Sequence, residues 1–427
     1  MSSIVLFSIL LALMLTGMPI SISLGLTVLT FLFTMTQVPL ESVALKLFSG
    51  IEKFEIMAIP FFILAGNFLT HGGVARRMIN FATSLVGHWY GGLALSGVMA
   101  CALFAAVSGS SPATVVAIGS ILIPGMVKAG FPMRFGAGVI TTSGALGILI
   151  PPSIVMVMYA IATNTSVGSL FMAGVIPGIV LASMLGGITW YRARKYNYPR
   201  QPKASWSERF RAFRESAWGL MLIIVVMGGI YTGIFTPTEA AAMSAVYSFF
   251  VAVFIYKDMG LKDVPKVLLN SANMSAMLLY IITNAVMFSF ILANENIPQE
   301  LTNWMIEMGF GQIAFLLAVN VLLLMAGNFM EPSSIMLIFA PIVFPVAMKL
   351  GIDPIHLGVI MVVNMEVGMC HPPVGLNLYV ASGLTKMGIT ELTVAVWPWL
   401  LTMLIFLALT TYVPTMTLWL PRVLGMM

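Results

Sequence analysis

Ser108-Gly109-Ser110-Ser111-Pro112 sets three hydroxyls around a helix-breaking turn inside 78–127, a stretch without a single Lys, Arg, Asp or Glu. A hard cation such as sodium takes oxygen ligands, and discontinuous membrane helices offer them from unwound backbone. In the first half of the chain the candidates are Ser108, Ser110, Ser111 and Thr114, opposite Thr141, Thr142 and Ser143. In the second half they are Asn328, Ser333 and Ser334, opposite Asn364 and then Asn377. A single small hydroxyl serves close helix packing equally well. The ensemble recurs in both halves beside a chain break, and that favours ligation. Of this set, Ser108, Ser110, Thr142, Ser143, Asn328, Asn364 and Asn377 are the expected contacts to a solute.

Glu331 and Glu366 lie in apolar stretches next to the breaks of the second half. An intramembrane carboxylate reads first as functional and second as a cavity-facing structural residue. Glu239, after Thr236-Pro237-Thr238, reads as a helix start. No Lys or Arg falls in either break region. A carboxylate solute held there would depend on helix N-termini, hydroxyls and bound cations. This is a physical reason for coupling, because cations neutralise a site in which a dianion could not otherwise be desolvated. His71, His88, His356 and His371 show no metal-ligand spacing; His371, beside Pro372, could touch a solute, with a structural role the simpler reading. Cys101 and Cys370 sit in apolar segments and read as packing residues. The chain has no Gly-x4-Gly-Lys-Ser/Thr loop, Gly-x-Ser-x-Gly elbow, His-Glu-x-x-His or Cys-x-x-Cys, so nothing promotes ATP hydrolysis or an enzyme.

Charge and length define the elements that must position these residues. Only 8% of the 427 residues are charged and 59% are hydrophobic, whereas a soluble domain carries about a quarter charged residues. Residues 1–40, 78–127 and 135–191 hold no charge. A helix crosses the hydrocarbon core with about 20 apolar residues, so on the order of ten to twelve membrane-embedded segments are expected in the bilayer. Met1–Leu15 lacks the basic flank of a cleavable signal and reads as the first membrane helix. Arg192 to Arg214 carries eight of the 20 basic residues against one acid, Glu208, and is expected in the cytoplasm, with Trp190, Trp206 and Trp218 at the interface. The net charge of +5 reports topology, and no nucleic-acid partner is inferred from it.

The two halves flanking this basic loop resemble each other. Pro124-x3-Lys128-x-Gly130 recurs 221 positions later as Pro345-x3-Lys349-x-Gly351, and Gly147-x3-Pro151-Pro152 recurs at the same displacement as Gly368-x3-Pro372-Pro373. Matched Gly/Pro-interrupted segments mark an internal repeat with a binding site between its copies. Ala113–Val127 has 15 residues, about 22 Å of helix against a core of roughly 30 Å. A re-entrant hairpin is therefore expected near 78–127, and a second near 309–348 around the break Asn328–Ser334. The double prolines interrupt helices near 135–165 and 355–385, and their freed carbonyls are tolerable against a wet cavity or a ligand. Glu41–Ile56 and Lys257–Lys266 read as interfacial amphipathic helices, and Gly174-x3-Gly178 and Gly229-x3-Gly233 as close-packing spacings. The layout is a first repeat over 1–191, a basic loop over 192–216 and a second repeat over 217–427.

Ala58-Ile59-Pro60-Phe61-Phe62-Ile63-Leu64-Ala65-Gly66-Asn67, Ser108-Gly109-Ser110-Ser111-Pro112-Ala113-Thr114 and Ile148-Leu149-Ile150-Pro151-Pro152-Ser153 resemble signatures of the large membrane subunit of tripartite ATP-independent periplasmic (TRAP) transporters. Pro372-Pro373-Val374-Gly375-Leu376-Asn377 resembles the matching motif of that family's second half. The resemblance spans essentially the whole chain and is nearest to the branch importing four-carbon dicarboxylates (succinate, malate, fumarate), with a sialic-acid branch as the alternative. It implies an all-α integral membrane protein of the bacterial inner membrane, with inverted repeats whose hairpins enter from opposite faces. Hairpins and broken helices would ride together as an elevator against a scaffold with amphipathic arms. It further implies sodium-driven uptake, a small four-helix membrane subunit and a periplasmic binding protein that delivers the small carboxylate substrate. Sodium is expected near Gly109, Ser110, Ser111, Gly144 and Pro151, and again near Pro332, Ser333, Ser334, Glu366 and Pro372. The rival readings are a stand-alone dicarboxylate–sodium symporter and a membrane enzyme without a transport path.

Overall fold

Proline and glycine punctuate a chain that is otherwise helical. The computed structural model describes residues 2–36, 39–328, 330–373 and 375–426, and among them every regular element is a helix. Phe329 in the second break and Val374 after the second double proline lie outside the described residues. Among the described residues, eight helices are long and apolar enough to cross a membrane. The shorter apolar helices include Gly92–Ser108, Ile154–Thr163, Gln312–Gly327 and Pro354–Cys370, the pieces that the breaks leave behind.

The charge-free stretch 78–127 divides into two structures. Val74–Val86 is a helix of its own, and the hairpin limbs are Gly92–Ser108 and Ser111–Lys128. The first limb stops at Gly109, whose φ of +58° suits glycine, and Pro112 opens the second where a missing N–H costs nothing. The second hairpin consists of Gln312–Gly327 and Pro332–Lys349, again with proline in the first turn. The first broken segment runs from Met133–Ser143 through a 3-10 turn at Gly144–Ile148 to Ile154–Thr163. The second runs from Pro354–Cys370 to Leu376–Thr385. Both double prolines contain a cis bond.

The repeated glycines mark where each broken segment meets the tip of its own hairpin. A β-carbon on Gly147 would lie 2.6 Å from the Ser110 carbonyl oxygen, and one on Gly368 would lie 2.9 Å from the Gly327 Cα. Backbones approach this closely only where small residues meet. The halves also interlock. Asn377 donates to the Ser111 hydroxyl at 2.7 Å, and the Trp399 indole donates to Thr189 at 2.8 Å. Val115 and Ala137 pack with Leu378, Ala381, Leu392 and Val396.

Outside this assembly, Leu40–Ile51 is an amphipathic helix laid against Val264–Asn294, with Gly50 facing Val286. Lys53, just after it, donates to the Ile161 carbonyl and to Asn164 Oδ1, both at 2.7 Å. Burial pulls that ammonium below the usual lysine range, against an opposing pull from Glu55. The expected interfacial helix at Lys257–Lys266 is not present. Residues 256–263 form a turn, because Asp258 is drawn to Arg76 and Arg77 and Pro265 starts the long Val264–Asn294 helix only afterwards. The basic stretch is shorter as a loop than in sequence: Arg192–Lys195 end the helix Val167–Lys195, and a Ser205–Glu208 capping box opens Trp206–Ile223. Gly174 and Gly178 bring Val167–Lys195 against Leu149 and Ile150, whereas Gly233, at φ +71°, belongs to a turn.

Gly368→Ala forces a methyl group against backbone and should cost about 1–3 kcal/mol by overpacking. Gly187→Ala, with open space around it, should be neutral or stabilising by up to about 1 kcal/mol of helix propensity. Thermal unfolding of the detergent-solubilised protein checks both, and a Gly368→Ala variant as stable as the parent would contradict the close crossing.

Candidate functional site

The two hairpin tips face one cavity of about 440 Å³. Gly109, Ser110, Ser111, Pro112 and Ala113 line it from the first tip, and Glu331, Pro332 and Ser333 from the second. Asn67, Thr70, Met274, Met277 and Leu278 form a further wall, and Met369 and Leu376 contribute from the second broken segment. The helices Ser111–Lys128 and Pro332–Lys349 both begin at this cavity. Their N-termini present unpaired N–H groups and a partial positive charge. Glu331 is the one charged residue among the described lining residues.

Hydroxyls organise the first tip. The Ser108 and Thr114 hydroxyls lie 2.8 Å apart, the Ser110 amide donates to Ser108 Oγ at 3.4 Å, and Thr114 Oγ1 donates to the Ser110 carbonyl at 2.8 Å. Ser108 therefore braces the turn from behind, while Ser110 and Ser111 face the cavity. Asn377 reaches over from the second half, donating to Ser111 Oγ and, at 3.4 Å, to the Thr141 carbonyl. At the second tip the Ser333 hydroxyl donates to Glu331 at 2.5 Å and the Ser334 hydroxyl at 3.3 Å. The Asn328 amide nitrogen faces the second double proline and donates to the His371 and Pro372 carbonyls, each at 3.1 Å. The two carbonyls beside the proline pair thus have a side-chain donor.

Other expected site residues lie behind the cavity wall. The Thr142 hydroxyl donates to Gly138 in its own helix at 2.8 Å, while Ser143 Oγ is buried without a partner among the described residues. Asn364 donates to Asn320 Oδ1 at 2.8 Å, and Asn320 donates to Thr411 at 2.9 Å, tying the first limb of the second hairpin into the interior. Gly144 packs against Val115, and Pro151 borders an outer apolar crevice with Ala102, Ile150 and Met172. Glu366 is fully buried, and neither carboxylate oxygen has a partner among the described residues. It does not join the second tip. Two residues is about 200° of helical rotation, and both Asn364 and Gly368 face the second hairpin. Glu366 therefore points away, to the side where Cys370 meets the Thr141 carbonyl at 3.5 Å.

Asn67 was not among the expected contacts. It is the one amide in the apolar helix Ala58–His71, and that isolation is the signal that could have found it. Its side chain donates to Ser271 Oγ at 2.8 Å, fixing the wall opposite the tips. The arrangement can serve both charges. Helix N-termini and hydroxyls suit a carboxylate, while Glu331, carbonyls and unpartnered oxygens suit a cation.

Comparison with known proteins agrees with this geometry. Residues 7–416 match the family described as tripartite ATP-independent periplasmic transporter, DctM component. The chain is 74% identical over 440 residues to the C4-dicarboxylate TRAP transporter large permease protein DctM of Rhodobacter capsulatus, covering 100% of each chain. It is 54% identical over 404 residues to the protein of the same description from Pseudomonas aeruginosa, covering 95% of each. The crystal structure of the Alcanivorax borkumensis YdaH transporter matches with a TM-score of 0.60, covering 90% of this chain and 88% of that one; at 16% identity it speaks to the fold alone. The chain belongs to the DctM family of tripartite ATP-independent periplasmic transporters, as a multi-pass permease of the bacterial inner membrane and not an enzyme.

Proposed function

We propose that this permease imports C4-dicarboxylates such as succinate, malate and fumarate, driven by sodium, together with a small four-helix membrane subunit and a periplasmic binding protein. The cavity between the two tips carries this reading. It offers the N-terminus of the first tip helix and several hydroxyls to a carboxylate, with no lysine or arginine among its described lining residues. A dianion entering so poorly compensated a site needs mobile cations beside it.

Sodium would lie near Gly109, Ser110 and Ser111, with Gly144 and Pro151 behind them, and near Pro332, Ser333, Ser334 and Pro372. The donor chemistry fits. Asn377 Oδ1, Ser143 Oγ, Asn364 Oδ1 and both Glu366 oxygens are buried and have no partner among the described residues, and all are oxygen ligands of the kind a hard cation takes. Glu366 is a separate point of cation demand on the far side of its helix. The solute would contact Ser110 and the tip helices directly, with Ser108, Thr142, Ser143, Asn328, Asn364 and Asn377 shaping the site from behind. The two halves would be inverted repeats. The interlocked hairpins and broken segments would move together past the wall carrying Asn67, Ser271 and Met274.

In proteoliposomes holding the permease and its small subunit, uptake of labelled succinate should require both an inward sodium gradient and the binding protein. Uptake on sodium alone would instead support a stand-alone symporter. Uptake of labelled sialic acid in place of succinate would overturn the substrate class. Asn377→Ala removes the amide that joins Ser111 to the Thr141 carbonyl. It should raise the sodium concentration for half-maximal uptake about tenfold, roughly 1.4 kcal/mol of binding. Ser110→Ala should shift the same curve in the same direction. Unchanged sodium curves in both variants would remove the first tip from the cation site.

A further inference from the structure

Eight of the 20 basic residues lie between Arg192 and Arg214, and none of them lines the transport cavity. None forms an ion pair among the described residues. The acid in their midst, Glu208, is committed to the Ser205 amide and hydroxyl. Aromatic rings hold the cations instead. Arg194 lies over Trp190 at 5.4 Å, Arg200 over Tyr90 at 3.3 Å and Arg209 over Trp206 at 5.2 Å, each to the ring centroid. A guanidinium stacked on a ring keeps its in-plane N–H edge free for a phosphate. Arg209 Nε is buried and has no partner among the described residues. The stretch is also fixed in place. The Gln201 amide donates to the Gly87 carbonyl at 3.0 Å, and the Phe213 ring lies 5.7 Å from that of Phe81. Both contacts seat it on the helix Val74–Val86 and its C-cap.

Depth points the same way. From Ser216 to Tyr231 the chain runs 16 residues without charge, about 24 Å of helix against a core of roughly 30 Å. The first turns of Trp206–Ile223 then fall at the level of the lipid headgroups. There Trp206, Phe210 and Phe213 expose one apolar stripe, with Arg211 and Arg214 exposed beside it. We propose that the surface between Arg192 and Arg214 binds anionic phospholipid of the cytoplasmic leaflet. The arginines take the phosphate, and the aromatic stripe takes the upper acyl chains. A zwitterionic lipid carries the same phosphate beside an ammonium that these cations repel, so a net-negative headgroup is preferred. This surface is separate from the cavity, and the proposal holds whichever carboxylate the cavity carries.

Tryptophan quenching by brominated lipids tests it. The permease, purified with its small subunit in uncharged detergent, is titrated with brominated phosphatidylglycerol or brominated phosphatidylcholine. Phosphatidylglycerol should half-saturate at a roughly tenfold lower concentration. About tenfold more potassium chloride should erase most of that preference. Arg209→Gln, Arg211→Gln and Arg214→Gln combined should reduce it to about twofold or less. Lys349→Gln, at the exposed end of Pro332–Lys349, should leave it whole. Equal quenching by the two lipids, or a preference that survives either the salt or the triple variant, overturns the proposal. Should the triple variant fail to fold, judged by its unfolding temperature without lipid, the salt response of the parent decides alone. Displacement of phosphatidylglycerol by an equal concentration of glycerol 3-phosphate would overturn the lipid assignment in favour of a soluble phosphate ester. A preference that appears only after the small subunit is removed would overturn it in favour of that subunit as the occupant.

Discussion

A helix interrupted inside an apolar layer leaves carbonyl and amide groups that no water can take, and the protein must supply their partners. Among the described residues this chain is interrupted at two tips and two double prolines, and side chains beside the first tip and both double prolines supply missing bonds. Ser153 donates to the Ile148 carbonyl and accepts from the Met156 amide across the first double proline. Asn328 takes the His371 and Pro372 carbonyls across the second. Thr114 holds the Ser110 carbonyl at the first tip, and Asn377 crosses between the halves to Thr141. Polar side chains at a break are therefore a condition of folding before they are a condition of transport. The cavity inherits its hydroxyls and amides from that requirement.

This double duty explains what the sequence could and could not announce. Breaks are legible because proline and glycine act locally through backbone sterics. The tips at Ser108–Pro112 and around Pro332 stand where those residues stand, and the register of Gly147 with Gly368 reflects one shared contact with a hairpin tip. The partition of polar residues between cavity and interior is not local. Thr142 turns its hydroxyl to Gly138, and Asn364 turns to Asn320, because of the helices packed against them. Glu366 looked adjacent to the second tip by number, yet helical rotation sends it to the opposite side. Asn67 lies over two hundred positions from Ser271, its hydrogen-bond partner, and only the packed structure brings them together.

Lys257–Lys266 shows a different failure. Its mixed charges suit an amphipathic surface helix, but amphipathicity describes only which face would be wet. Asp258 has stronger partners in Arg76 and Arg77, and Arg77 also stacks 3.8 Å over the Tyr256 ring. An ion pair between segments so far apart in sequence fixes a turn where a local pattern favoured a helix. In Leu40–Ile51 no such ion pair intervenes among the described residues, and the amphipathic helix forms.

Matching backbone alone would give two tips with the same field, each offering a helix N-terminus to the cavity. Such a site would attract anions from both sides and hold them, which opposes release. One acid at the second tip breaks that symmetry without disturbing the backbone, since the glycine contact and the proline start are kept. Charge can differ at a tip because a side chain on the cavity wall has room that a close glycine contact lacks. The matching backbone of the two breaks and the unequal charge at their ends are thus separate features of the cavity. The first supplies partners to an interrupted backbone, and the second sets the field that each interruption presents to the cavity.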